Sequence, residues 1–187
     1  MEQLFLVVKP RGEVKALAQK IRNRINENYH IYGRVQPAIH ATVEVISLNK
    51  AGDLQAAKDI IAKISRQFSP FKLEITGFVF FPPPFKAITL AVNKNNEIEI
   101  ISKLVYEALA EQGMAGREDL QSWKFHITVA SPFGAERVWG DQEFRGACQM
   151  VANWSVAGSC LIDQLELWRP VFDPVKMREA TFPLKKF

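Results

Sequence analysis

His40-Ala41-Thr42-Val43 and His126-Ile127-Thr128-Val129 repeat one pattern, a histidine and a threonine alternating with apolar residues. Each lies in a longer alternating run, Ile39–Val45 and Lys124–Ala130, which is the period of a strand with one wet face. Ala41, Val43, Ile127 and Val129 then point to the core, while each histidine shares the other face with a threonine about 6.6 Å away. Outward from the first copy, residues 3–9 read as a buried strand and 13–28 as a helix with apolar residues at 14, 17, 18, 21 and 25. The opposite face of that helix carries Lys15, Lys20, Arg22 and Arg24. After the first copy, Asp53 reads as the N-cap of a helix reaching Phe68, and 72–81 reads as a strand stopped by Pro82-Pro83-Pro84.

Beyond the prolines the order begins again. A strand is expected at 85–92, a helix at 96–112 with Gly113 at C′, a strand at 124–130 and a short helix at 141–151. Strands at 160–169 and 178–184 complete the chain. The halves keep step: His40 to Pro82 spans 42 residues and His126 to Pro170 spans 44. An internal duplication of a β-α-β-α-β unit accounts for that agreement. It predicts one bilobal domain over 1–187, with lobes of about 1–83 and 84–187, since neither half is large enough to cover its own sheet.

The 187 residues are 48% hydrophobic and 24% charged, an ordinary globular balance that excludes disordered, collagenous and coiled-coil chains. No apolar run reaches the roughly 20 residues of a membrane helix, and Leu4–Val8 is too short for a signal-peptide core. Cys148 and Cys160 form no CxxC pair, which fits a reducing, cytoplasmic setting. The net charge of +4 is compatible with anionic substrates without demanding them.

The chain has only three histidines, and two of them head the repeated tetrapeptides. A pseudo-twofold axis would bring two imidazoles and two hydroxyls around one pocket. Near neutral pH one imidazole can be neutral and the other protonated, as base and acid. Threonine hydroxyls can hold the non-bridging oxygens of a phosphoryl group, where charge builds in the transition state. His30, beside Tyr29 at a helix end, has no such partner and reads as a surface residue. There is no HExxH, clustered Cys/His set, EF-hand loop, GxxxxGK[ST], GxGxxG or GxSxG, so metal-free and cofactor-free chemistry is expected.

Paired HxTx tetrapeptides in two β/α halves resemble the two-histidine phosphoesterase superfamily, which includes the 2′-5′ RNA ligases and RNA 2′,3′-cyclic phosphodiesterases. The resemblance covers most of the chain. It implies an α+β fold with two mainly antiparallel sheets facing a central cleft. It also implies opening of a cyclic phosphodiester, or cleavage of a 2′-5′ linkage, without metal. His40 and His126 match the acid/base pair, and Thr42 and Thr128 the phosphate-holding hydroxyls. The implied ligand is an RNA terminus or small nucleotide, with no membrane and no obligate protein partner. Tyr32, Phe81, Trp123 and Trp168 are candidates to stack on a base. Arg34, Lys124 and Arg169 are candidates to approach phosphate, with Lys124 two residues before His126. Two rivals stand beside this reading: a ribonuclease that forms cyclic phosphates, and a non-catalytic nucleotide-binding module with the same pocket. Nothing in the motifs says which histidine is acid and which is base.

Overall fold

The computed structural model describes residues 2–94, 96–118 and 123–185. The chain runs β1 (Glu2–Val8), α1 (Gly12–Tyr29), β2 (Ala41–Leu48), α2 (Asp53–Ser65), β3 (Phe71–Phe81) and β4 (Ala87–Val92). It continues through α3 (Asn96–Glu111), β5 (His126–Ala130), α4 (Asp141–Ala152), β6 (Gly158–Ile162), β7 (Gln164–Trp168), α5 (Pro174–Met177) and β8 (Arg178–Pro183). The expected α+β class is found. Gly113, at φ +71°, closes α3: its N–H donates to Ala110 O at 3.0 Å and the Met114 N–H donates to Leu109 O at 2.8 Å. Among the described residues no helix is long and apolar enough to cross a membrane.

Three local expectations are corrected. Asp53 is not the N-cap of α2; Gly52 holds that position at φ +94°. The Asp53 carboxylate instead accepts the Asn49 and Lys50 N–H groups at 2.7 and 2.9 Å, so it fixes the turn before the helix. The single strand expected over 160–169 is two strands, broken at Asp163, because β6 pairs with β3 while β7 pairs with β1 and β8. Arg22 does not lie on the wet face of α1. It is 2% exposed, four residues after Ala18 on the stripe of Val14, Ala18, Ile21 and Ile25.

The strands form one eight-stranded antiparallel sheet in the order β6-β3-β4-β5-β2-β1-β7-β8, where two facing sheets were expected. The single sheet arises because β2 and β5 meet, through the pair Ala41↔Ile127. Farther along β2 that flank is taken by the segment after α3: Ile46 bridges Ala115, and the Gly116 N–H donates to Val45 O at 2.9 Å. The halves also exchange strands across the proline run. β3 pairs with β4, and β7 pairs with β1. α1 packs on β5 and β6, and α3 packs on β2, so each helix covers strands of the other half.

A bulge shapes the strand that carries the first motif. Leu6 pairs with Glu44 but Val7 with Thr42, leaving Val43 unmatched across β1. Glu44 is thereby turned under α3 and fully buried. Arg117 Nε donates to Glu44 Oε1 at 2.6 Å, its Nη2 donates to Glu44 Oε2, and Nη2 also reaches Ser102 Oγ at 3.0 Å. The guanidinium lies 4.5 Å from the Trp123 ring centroid, and the Trp123 indole N–H donates to Thr42 O at 3.3 Å. A buried ion pair thus anchors the residue layer directly behind the first motif. Glu44→Gln, which leaves a buried cation without its anion, should cost about 3–5 kcal/mol in denaturant unfolding, and Glu44→Leu with Arg117→Met should recover most of it. Equal losses for the single and double variants would show that the pair does not anchor this layer.

Candidate active site

The Ala41↔Ile127 pair is antiparallel, so one residue outward on each side sets His40 opposite Thr128 and Thr42 opposite His126. These four residues share the face away from buried Ala41 and Ile127, with each imidazole beside the other motif's hydroxyl. The two histidines are then diagonal neighbours, about 7–8 Å apart in such a register and somewhat closer at Cβ. A cavity of about 570 Å³ opens here, lined by His40, Thr42 and Thr128 among others, while His126 lies outside its lining. Neither threonine hydroxyl has a hydrogen-bond partner among the described residues.

Both rings are held in the same way. His40 Nδ1 is 2.8 Å from Ala38 O, and His126 Nδ1 is 2.7 Å from Lys124 O. A carbonyl oxygen only accepts, so each Nδ1 carries the proton and each Nε2 presents a lone pair when the ring is neutral. An aromatic ring backs each imidazole: Trp168 of β7 at 4.9 Å from His40, and Phe81 of β3 at 5.0 Å from His126. β7 and β3 occupy matching places in the sheet order, two strands out from the β2–β5 seam.

The electrostatics are less symmetric. Burial holds His40 below the ordinary imidazole value; the bond to Ala38 opposes that, and the nearby His126 and Arg22 charges reinforce it. Burial lowers His126 too, opposed by its bond to Lys124. The Arg22 guanidinium lines the cavity and ties the second motif to the segment that leads into the first. Its Nε donates to Val129 O at 2.9 Å, Nη2 to Thr128 O at 3.1 Å and Nη1 to Pro37 O at 2.5 Å. Sequence reading missed this residue, although its spacing from Val14 and Ala18 put it on the buried stripe of α1.

The other sequence candidates separate into two groups. Tyr32 and Trp168 are buried and line the cavity, as does Arg169, which is held by Glu2 and Glu179. Phe81 meets the site through its contact with His126. Lys124 is exposed and contributes its carbonyl to His126, while its side chain lies outside the cavity lining. Arg34 is exposed on the loop before β2, also outside the lining. Trp123 sits behind the motif against Arg117. His30 is exposed and caps α1 in the left-handed conformation, its N–H donating to Asn26 O at 2.8 Å. Among the described residues no three His, Cys, Asp or Glu side chains gather as a metal site would require.

A family model described as the 2′-5′ RNA ligase superfamily matches residues 10–171. No curated protein sequence matches the chain. Solved structures share its fold. TT0787 of Thermus thermophilus superposes with a TM-score of 0.70 at 15% identity, covering 97% of each chain. Escherichia coli LigT complexed with NADP+ gives 0.62 at 14% identity, covering 99% of this chain and 98% of that one. The MHV ns2 PDE domain gives 0.54 at 18% identity, over 70% of this chain and 84% of that one.

Arg22→Met would leave three carbonyl acceptors around the motifs without their donor. It should lower stability by about 2–4 kcal/mol in urea unfolding. Arg22→Lys should recover less than half of that, because one ammonium cannot span three diverging carbonyls. A wild-type midpoint for Arg22→Met would refute the bracing role.

Proposed function

Since the chain belongs to the 2′-5′ RNA ligase superfamily, we propose that it is a metal-independent phosphodiesterase opening a 2′,3′-cyclic phosphate, or cleaving a 2′-5′ linkage, in RNA or a nucleotide. One observation carries the reading: both imidazoles are tied back through Nδ1, and among the described residues neither Nε2 atom nor either threonine hydroxyl has a hydrogen-bond partner. In cyclic phosphate opening, one Nε2 takes a proton from water as the oxygen attacks phosphorus. The other Nε2–H gives its proton to the ribose oxygen as the P–O bond breaks. The Thr42 and Thr128 hydroxyls donate to the non-bridging oxygens, where negative charge accumulates. A base on one side of phosphorus and an acid on the other fit in-line displacement.

The same reading takes the protein as an internal duplication forming one bilobal unit in the cytoplasm. The mirrored strand order on either side of the β2–β5 seam supports the duplication, and two free cysteines fit the compartment.

His40→Ala and His126→Ala should each lower kcat by about 10²–10⁴-fold on a 2′,3′-cyclic nucleotide with little change in ligand affinity. Near-normal turnover by either variant would refute the mechanism. Cleavage of intact 3′-5′ RNA would mark a ribonuclease instead, and binding without turnover on any substrate would mark a binding module. Activity should survive EDTA, and loss of activity that returns with added divalent cation would contradict the metal-free reading.

The pH profile follows from the ring environments. The base must be deprotonated and the acid protonated, and both rings are held below the ordinary value of 6.5. The two protonations interact, so the limbs of the bell belong to the pair. The kcat/KM profile, which reports the free enzyme, should therefore peak below pH 6.5. A maximum on the alkaline side of neutrality would exclude this pair as the acid and base.

A further inference from the structure

The strand that backs His40 carries a buried acid that the mechanism does not use. Gln164, Glu166 and Trp168 alternate with buried Leu165 and Leu167, so the three side chains leave β7 on one face. Glu166 is 4% exposed and has no ion partner among the described residues. Its Oε1 accepts from Gln164 Nε2 at 2.9 Å, and its Oε2 accepts from the Trp168 indole N–H at 2.8 Å. Taking a carboxylate out of water is costly, and here it is set against two neutral donors.

The register shows what that arrangement does. Val7 of β1 pairs with Glu166 on one side and with Thr42 on the other, so the three lie in one row on the face of the imidazoles. Trp168 stands one row away, opposite Phe5, and His40 lies on the other side of the Thr42 row. The indole therefore has to lean along β7, across Glu166, for the two rings to meet. They do meet, with centroids 4.9 Å apart, and the bond from the indole N–H to the carboxylate lies along that lean. Phe81, the ring against His126, has no N–H to be held in this way.

We propose that Glu166 is a positioning residue for His40: its carboxylate holds the Trp168 indole across the row, so that the imidazole keeps one orientation with water excluded on that side. Glu166 touches no reacting atom and acts only through the indole. Burial is the first cause of the lowered His40 value, which agrees with a ring kept dry by a fixed neighbour. The consequence for turnover rests on the phosphodiesterase reading, whereas the hold itself is read on the His40 ring without substrate.

The test compares wild type with Glu166→Leu, Glu166→Gln and Trp168→Phe, by NMR titration of the His40 ring and by kcat and KM on a 2′,3′-cyclic nucleotide. Glu166→Leu removes the acceptor, and Trp168→Phe removes the donor while keeping a ring. Each should shift the His40 ring protons as the indole leaves, and raise the apparent His40 pKa toward the ordinary 6.5 as water reaches it. Each should lower kcat by about 10–100-fold while KM changes by less than about threefold. Glu166→Gln, which keeps an acceptor for the indole N–H, should recover the His40 ring shifts and most of kcat. Glu166→Leu/Trp168→Phe should lose no more than either single variant, because both cut the same contact. If Glu166→Leu does not fold, Trp168→Phe and Glu166→Gln make the same comparison. Unmoved His40 resonances in Trp168→Phe or Glu166→Leu, or losses that add in the double variant, would overturn the role. So would a Glu166→Gln variant as impaired as Glu166→Leu, which would make the charge and not the hold responsible. The expected His40 shifts in a protein that turns over no substrate would support the hold and count against the catalytic reading alone.

Discussion

The contact between Ala41 and Ile127 is the constraint on which the site depends. It sets the register between β2 and β5, and it sits inside both HxTx tetrapeptides. Shifting either strand by one residue would turn its histidine and threonine to the other face, because side chains alternate with a period of two. The buried ion pair behind β2 and the Arg22 brace behind β5 are therefore more than packing. Each fixes a strand whose register sets which groups share the face of the two imidazoles.

Near-symmetry explains why the site contains two similar halves, and departures from it distinguish them. Each imidazole has a carbonyl two residues earlier and an aromatic ring from a matching strand. Only His40, however, feels the Arg22 charge and lines the large cavity. His126 stands outside that lining, against Phe81. The cavity and the cations Lys9, Lys15 and Arg22 that line it lie on one side, so the surface around the matched pair of rings is asymmetric.

Local pattern made the elements legible, and long-range pairing determined the rest. Alternation in Ile39–Val45 and Lys124–Ala130 identified the two motif strands, and helical spacing identified α1, α2 and α3. The break at Asp163 was hidden because residues on both sides have strand character; what separates them is that they pair with different neighbours. One sheet in place of two turns on a single cross-strand pair, which no local pattern encodes. The four motif residues were readable because they occur twice. Arg22 was not, since an arginine among the cations of α1 reads as solvated until its carbonyl acceptors are seen. Lys124 was read onto the face of His126 from its place two residues earlier; its side chain and that of Arg34 are exposed and outside the cavity lining.

With only three histidines in the chain, the nitrogen spectra of the imidazoles can test the arrangement directly. Long-range ¹H–¹⁵N correlation spectra, followed through a pH titration with and without inorganic phosphate, report both the tautomer and the protonation of each ring. The account predicts that His40 and His126 are both Nδ1–H tautomers when neutral, and that phosphate raises the apparent pKa of both together. An Nε2–H tautomer at either motif histidine, or a phosphate response confined to one of them, would contradict the claim that two rings face one phosphorus.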